Sequence, residues 1–333
     1  MTINQVAVLG AGAWGRALAG QFAGAGPVTL WSHNPSRLEP LAQSGLRYTT
    51  DLSEALADAD AVVIAIPSSG MAGLIDDMVR VGLANRPLIV AAKGFADDGS
   101  GLLSTLFAKA LPNCPLAILS GPSFAADLTA GLPTAISLAL DPQGEGHQEL
   151  APRLLQRLAA PLFRIFLSDD ITGGQVGGAA KNVIAIACGI AAGLAYGNNT
   201  HAALISRGLA EISRLAEALG GQPHTMMGLA GVGDLVLTCS DRKSRNYSYG
   251  LRRGQGMSHD EAVEASAGVI EGIANAANIT ALATQHDVDM PITGAIDALL
   301  HQGQPLDEII KGLMSRPYKG EGGAWSTIEL NAP

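Results

Sequence analysis

Short apolar runs recur through the first half of the chain, each followed by a stretch long enough for a helix: QVAVLG, VTLW, AVVIAIP, PLIVAAKG, PLAILSG and TAISLAL, with FRIFLS, ending at Ser168, as the last. These runs are apolar at consecutive positions, which predicts strands buried on both faces. Strands of that kind spaced by helices predict a parallel sheet covered on two sides, a doubly wound α/β layer. Past GGQVGGAAKN the pattern turns to long helical stretches with few strand signals, which sets a boundary near residue 170. There, AALISRGLAEISRLAEALGG has apolar residues at helical spacing, supports Glu211 with Arg214 three residues on, and stops at Gly220 and Gly221. DPQGEG, Asp141 to Gly146, reads as a surface turn.

Composition narrows the choice of partner. A chain of 333 residues fits two packed domains better than one, and 47% hydrophobic against 15% charged residues excludes global disorder. With 41 glycines and only 4% aromatics, it favours close backbone approaches over an aromatic recognition surface. The net charge of -9, from 21 basic and 30 acidic residues, repels polyanions, so nucleic acid is not an expected partner. Cys114, Cys188 and Cys239 lack CxxC spacing, which predicts neither a disulfide framework nor a zinc site and points to reduced, cytosolic conditions. The opening MTINQVAVLG has no basic region ahead of its apolar run, unlike a signal peptide. The charge-free stretch from Asn182 to Thr200 ends in Tyr-Gly-Asn-Asn, and its apolar part falls short of the ~20 residues of a membrane span, so a buried helix is expected. The seven histidines show no HExxH or clustered spacing, and no GxSxG occurs; no metal site is expected.

Candidate chemistry begins at the first strand. VAVLGAGAWGRALAGQFA sets Gly10, Gly12 and Gly15 in GxGxxG spacing between a strand and a helix. Gly10 suits a tight turn, Gly12 a pyrophosphate lying on the backbone, and Gly15 close helix-to-strand contact, while the helix N-terminus faces the anion. The reading is a Rossmann-like dinucleotide-binding domain over 1–170 and an all-helical substrate-binding domain over 171–333. At the end of the second strand, LWSHNPSR carries Ser32, His33, Asn34 and Arg37 and no acid, so a 2'-phosphate is accommodated and NADP is permitted. A plain surface histidine at His33 is the alternative.

Only six lysines occur, and two stand amid hydrocarbon: Lys93 in LIVAAKGF, at the end of a buried strand, and Lys181 in GGQVGGAAKNVIAIACG, at the head of an apolar helix. A desolvated ammonium has a lowered pKa and suits proton transfer near neutrality. The alternatives are a strand-end lysine snorkelling to water and a capped, solvent-facing helix start. GLAGVGDLVLTCSDRKSRN adds Asp234, able to orient a lysine, then Thr238, and Ser244, Arg245 and Asn246, a donor set for phosphate, unless DRKSR is a solvated loop. In AILSGPSFAADL, Ser123 sits at a strand-to-helix junction, where it holds a hydroxyl or anion or merely caps a helix.

Taken in order, VLGAGAWGRALA, AAKGF, LSGPSFA, GLPTAISLA, GGAAKNVIAIACG, RGLAEISRL, GLAGVGDLVLTCSDRKSRN, GVIEGI and MPIT closely resemble the bacterial NAD(P)-dependent glycerol-3-phosphate dehydrogenases over nearly the whole length. The resemblance implies interconversion of dihydroxyacetone phosphate and sn-glycerol 3-phosphate, in the cytoplasm, feeding phospholipid synthesis, with NADPH favoured over NADH. It implies Lys181 as proton donor and acceptor and Lys93 touching substrate and cofactor. Asp234 then partners the lysines, Gly121 and Ser123 line the substrate site, and Ser244, Arg245 and Asn246 bind substrate, Arg245 also lying near the cofactor. Ala13, Trp14, His33, Ala125, Val269 and Glu271 match further cofactor contacts by resemblance alone. A homodimer is implied, and the Gly- and Ala-rich helices suit burial against a partner subunit. Two departures stand out: LAQSGLRYTTDL shortens a loop before Thr49, and Pro67-Ser68-Ser69 keeps the family's Pro-Ser but loses the residues usual after that pair. The rivals are a dehydrogenase of the same build acting on a hydroxy or sugar acid, which would lack the Ser-Arg-Asn loop, and a silent dinucleotide sensor, which would need no buried lysines.

Overall fold

The computed structural model describes residues 2–38, 45–96, 101–266, 268–316, 318–319 and 329–330. The shortened stretch before Thr49 lies partly outside them, at residues 41–44. The first half runs β1 (Val6–Leu9), α1 (Ala13–Ala23), β2 (Val28–Trp31), β3 (Leu46–Thr49), α2 (Leu52–Ala57), β4 (Ala61–Ile64), α3 (Met71–Arg80), β5 (Leu88–Val90), α4 (Leu103–Ala110), β6 (Leu116–Ser120), α5 (Ala125–Thr129), β7 (Thr134–Leu140), α6 (His147–Leu158) and β8 (Phe163–Ser168). The strands form one sheet in the order β3-β2-β1-β4-β5-β6-β7-β8.

Alternate residues of the central strands face opposite layers, as a pleat requires. Val6, Val8, Leu30 and Val63 bury against α1 and α6, through Leu18, Phe22, Leu154 and Leu158. Ala7, Leu9, Val62 and Ile64 bury against α3 and α4, through Leu74, Met78, Leu103 and Phe107. Both faces are apolar, hence the unbroken apolar runs.

The sheet departs from expectation in two places, by one added edge strand and by one antiparallel pairing. LRYT forms the edge strand β3, pairing parallel to β2. It alternates polar with apolar and is buried only at Thr49, so it carries no apolar run. β7 runs antiparallel to β6, and β8 parallel to β7. The link between β6 and β7 holds only the five-residue α5 instead of a full crossover helix, so the chain turns back.

The second half runs α7 (Ile171–Gly193), α8 (Asn198–Ala218), α9 (Asp234–Ser240), α10 (Arg245–Gly254), α11 (His259–Glu264), α12 (Glu271–Gln285), α13 (Pro291–His301) and α14 (Leu306–Met314). A ribbon of β9 (Tyr318–Lys319) and β10 (Glu329–Leu330) pairs antiparallel. α7 is the axis, buried without a break from Gly173 to Ala191 among α8, α9, α10 and α12. A helix apolar all round must be enclosed. Among the described residues it alone is long and apolar enough to cross a membrane, and its most apolar window is 89% buried inside the protein.

Glu211 keeps the expected support of the Arg214 charge, which lowers its pKa, and takes on a second role. It is buried on α8, and its carboxylate accepts from the amides of Ile292 (2.7 Å) and Thr293 (3.1 Å) and from the Thr293 hydroxyl (3.0 Å), capping α13. Arg214 also donates to the Asp289 carbonyl at 2.7 Å. Burial pushes the Glu211 pKa up, while these donors pull it back.

Candidate active site

Parallel strands put their carboxyl ends on one edge, and β1, β2, β4, β5 and β6 all deliver candidate residues there. After β1 the chain turns at Gly10 with φ +115°, where a Cβ would lie 2.6 Å from the Ala65 carbonyl oxygen. A Cβ on Gly15 would lie 1.8 Å from the Gly10 carbonyl oxygen, so the fold itself demands both glycines. A Cβ on Gly12 would meet nothing within 4 Å. Its bareness therefore serves what approaches from outside. α1 starts there with no side-chain cap and no acid in its first turn, so its first amides have no side-chain acceptor of their own and suit an anion.

Ala13 is exposed on that first turn and Trp14 half-buried; α5, which opens at Ala125, packs on α1 beside them. After β2, Ser32 is buried and His33 exposed, its ring 6.3 Å from that of Trp31. The turn Pro35–Arg37 follows, and Arg16 donates to the Arg37 carbonyl at 3.1 Å. A bare glycine cradle with cationic and neutral donors at the ribose end fits a dinucleotide, including one with a 2'-phosphate.

Lys93, just past β5, and Lys181, in the middle of α7, meet on one carboxylate. The Lys93 ammonium donates to Asp234 Oδ2 at 2.6 Å and to the Gly121 carbonyl at 2.9 Å. That of Lys181 donates to Asp234 Oδ1 at 2.6 Å and to Thr238 Oγ1 at 2.6 Å. The two lysine side chains are 14% and 7% exposed and that of Asp234 1%. Lys93 therefore does not snorkel, and Lys181 is no helix start. Burial lowers the Lys181 pKa to about 8; Asp234 opposes the fall, Lys93 adds to it, and Glu271 raises it slightly. An unpaired buried charge would cost several kcal/mol, of order 3–5, so Asp234 is what permits two ammonium groups here.

Gly121, after β6, supplies the carbonyl that holds Lys93, and the Ser123 hydroxyl donates to the same oxygen at 3.0 Å. Ser123 is not a cap, since α5 starts after Phe124 with no side-chain cap. Of DRKSR, Arg242 and Lys243 are exposed, while Ser244 is buried and accepts from the Tyr247 amide, capping α10. The amides of Arg245 and Asn246 thus open a ten-residue helix with no intrahelical partner, beside the exposed Arg245 side chain.

The Asn246 carboxamide is already engaged. It donates to Asn182 Oδ1 at 3.0 Å and accepts from the Gly272 amide at 2.9 Å, tying α10 to α7 and α12. Asn182 in turn donates to Glu271 at 3.2 Å. Burial pushes the Glu271 pKa up; Arg245, Lys181 and Lys93 pull it down, in that order. Val269, 54% exposed, and Glu271 face Pro67, Ser68 and Ser69 across a cleft between α12 and the end of β4. Thr238, named in the sequence only as a follower of Asp234, belongs to this network, as do Asn182 and Asn275, which have no anomaly in the sequence to flag them. Adjacency to Lys181 was the only available signal for Asn182.

An open glycine loop after the first strand and, on the same sheet edge, a lysine after the fifth joined through one carboxylate to a second lysine on α7 define a nicotinamide-dependent dehydrogenase of two-part build. Residues 5–145 match the family model for the N-terminus of NAD-dependent glycerol-3-phosphate dehydrogenase, and residues 170–311 the model for its C-terminus. A glycerol-3-phosphate dehydrogenase [NAD(P)+] of Zymomonas mobilis is 40% identical, over 96% of this chain and 95% of that one. One from Rhodospirillum rubrum is 39% identical, over 99% and 97%. The crystal structure of a glycerol-3-phosphate dehydrogenase from Coxiella burnetii superposes with a TM-score of 0.88 at 36% identity, covering 94% of this chain and 99% of that one. The chain belongs to the NAD-dependent glycerol-3-phosphate dehydrogenase family.

Proposed function

We propose that this protein interconverts dihydroxyacetone phosphate and sn-glycerol 3-phosphate with a nicotinamide dinucleotide, residues 1–170 holding the cofactor and 171–333 the substrate. The observation that carries this is Asp234 gripping both Lys93 and Lys181 at 2.6 Å on the carboxyl edge of the sheet. Gly10, Gly12, Ala13, Trp14, Gly15, His33 and Ala125 hold the dinucleotide on one side, and Lys93, Arg245, Val269 and Glu271 on the other. Bound there, the reduced nicotinamide supplies the hydride.

The chain's own task is to manage charge and protons. As the ketone oxygen gains negative charge, Lys181 gives it a proton and Lys93 stays beside it as a fixed cation. A pKa near 8 leaves Lys181 mostly ammonium at neutral pH and able to act as a base in the reverse direction. Arg245 and the amides opening α10 take the phosphate, so binding energy remote from the carbonyl orients it. Asn246 supports this chiefly by tying α10 to α12, its carboxamide being held at both ends. Ser123 and Gly121 border the same space, and Ser244 shapes the anion site as the α10 cap.

The absence of any acid from Ser32 to Leu38 favours NADPH, with NADH as the alternative. The reading further includes a cytoplasmic homodimer that feeds glycerophospholipid synthesis. Initial rates with each reduced nicotinamide, and with dihydroxyacetone phosphate against hydroxy- and sugar-acid ketones, test it. Oxidation of NADPH with a keto acid and none with dihydroxyacetone phosphate would overturn the substrate assignment.

A further inference from the structure

We propose that Asn275 is a positioning residue: its single buried carboxamide sets the backbone segments carrying Lys93 and Lys181 at a fixed separation. This rests on the reading that both lysines serve the substrate. Asn275 lies on α12 and is 1% exposed. Its Nδ2 donates to the Lys93 carbonyl at 3.3 Å and to the Ala179 carbonyl at 3.1 Å. The acceptors are 182 and 96 residues away in the chain, one past the end of β5 and the other two residues before Lys181 in α7.

Three features make this more than a satisfied polar group. Lys93 lies beyond the last strand residue, Val90, where sheet pairing no longer holds the backbone. The two N–H bonds of a carboxamide diverge at a fixed angle, so bonding two carbonyls at once sets the distance between them. Finally, the neighbours of Asn275 on α12, Ala276 and Ile279, are core residues, and an aliphatic side chain would meet that packing without desolvating an amide. Asp234 joins only the lysine tips, which sit on flexible four-carbon stems. Asn275 acts on the backbones from which those stems begin. A misplacement of about 1 Å costs on the order of 100-fold in rate where reacting groups must be aligned.

The test compares Asn275→Leu and Asn275→Ala with Lys93→Ala and with the Asn275→Ala/Lys93→Ala double variant. Readouts are kcat, KM for dihydroxyacetone phosphate, NADPH affinity without substrate, and the pH profile of reduction. Lys181 faces Asp234 and Cys239 on α9, Lys93 after β5 and Glu271 on α12. When Lys93 retreats from Asp234, a cation that lowers the Lys181 pKa is lost and the carboxylate that raises it is shared less, so the falling limb moves to higher pH. Expected are a kcat lower by roughly 10- to 100-fold, that alkaline shift, NADPH affinity within about threefold of the wild type, and a double variant no slower than Lys93→Ala alone. Wild-type kcat and pH profile in the Leu variant, or additive losses in the double, would overturn it. Should Asn275→Leu fail to fold, Asn275→Ala, which adds no bulk, decides on the same readouts. Full turnover in Lys93→Ala would instead overturn the reading of the site itself.

Discussion

Asp234→Asn removes the one negative charge between two ammonium groups while keeping the side chain's size. Asp234 is 1% exposed and lies 2.6 Å from each lysine, so solvent cannot take its place. The Lys181 pKa near 8 balances burial and Lys93, which lower it, against Asp234 and Glu271, which raise it. Without the Asp234 charge only Glu271 opposes the fall, and the pKa drops below 8. An adjoining opposite charge moves a pKa by about 1–3; a drop of about 2 takes the ammonium fraction at pH 8 from about half to about 1%. Ketone reduction needs Lys181 as the ammonium, so turnover at pH 8 falls about 50-fold from this cause and recovers towards pH 5. The reverse reaction needs the neutral amine, so its rising limb also moves to lower pH. The assay is initial rate against pH in both directions at saturating nucleotide, with thermal melts at each pH. Stability also falls, by about 3–5 kcal/mol if the buried pairs are simply broken, so rates are taken well below the melting point. A loss equal at every pH, or a limb that stays put or moves upward, would refute the assignment of Lys181 as proton donor with Asp234 as its counter-charge.

Gly12→Ala retains the wild-type melting temperature because its Cβ enters open space, yet loses nucleotide affinity, whereas Gly15→Ala melts lower because its Cβ would lie 1.8 Å from the Gly10 carbonyl oxygen; calorimetric titration and melting curves separate the two. Arg245→Ala raises KM for dihydroxyacetone phosphate by roughly 10- to 150-fold, the value of a hydrogen-bonded charge of about 1.5–3 kcal/mol, without changing the pH of the Lys181 limb. An unchanged KM would move the phosphate elsewhere. Gly177→Ala lowers both melting temperature and kcat, since its Cβ would lie 2.4 Å from the Ala230 carbonyl oxygen in the turn leading to Asp234; normal kcat in a folded variant would separate that turn from catalysis.

Much of the sheet was legible because strands enclosed on both faces must be apolar throughout. β3 was not, since an edge strand like LRYT is half solvated and alternates. Nor was the reversal at β7, since direction is set by what the connecting chain can span and not by the strand's own residues. In the site, Lys93 and Lys181 stood out because an ammonium amid hydrocarbon is anomalous. Asn182 and Asn275 are ordinary helix residues until packing shows what they touch, and Thr238, noted after Asp234, gains a role only from its bond to Lys181. Glu211 had a local partner at helical spacing in Arg214, and the stronger claim on it, the start of α13, comes from a residue 81 positions away.

The placement of Lys181 depends as much on the small residues before it as on its own charge. One turn ahead of it, a Cβ on Gly178 would lie 2.7 Å from Ser120 Oγ at the end of β6, and one on Gly177 against Ala230 in the turn entering α9. Their bareness lets α7 lie on both at once. Contact with β6 brings the helix beside Gly121, whose carbonyl holds Lys93; contact with the turn brings it beside Asp234 and Thr238. Larger residues at 177 and 178 would hold α7 off the sheet, α9, or both, and the lysines would have no common carboxylate to share. The glycine-rich opening of this helix and the paired ammonium groups therefore answer one geometric requirement: a long, fully enclosed helix must approach two separate backbones closely enough for a buried cation to reach its counter-charge.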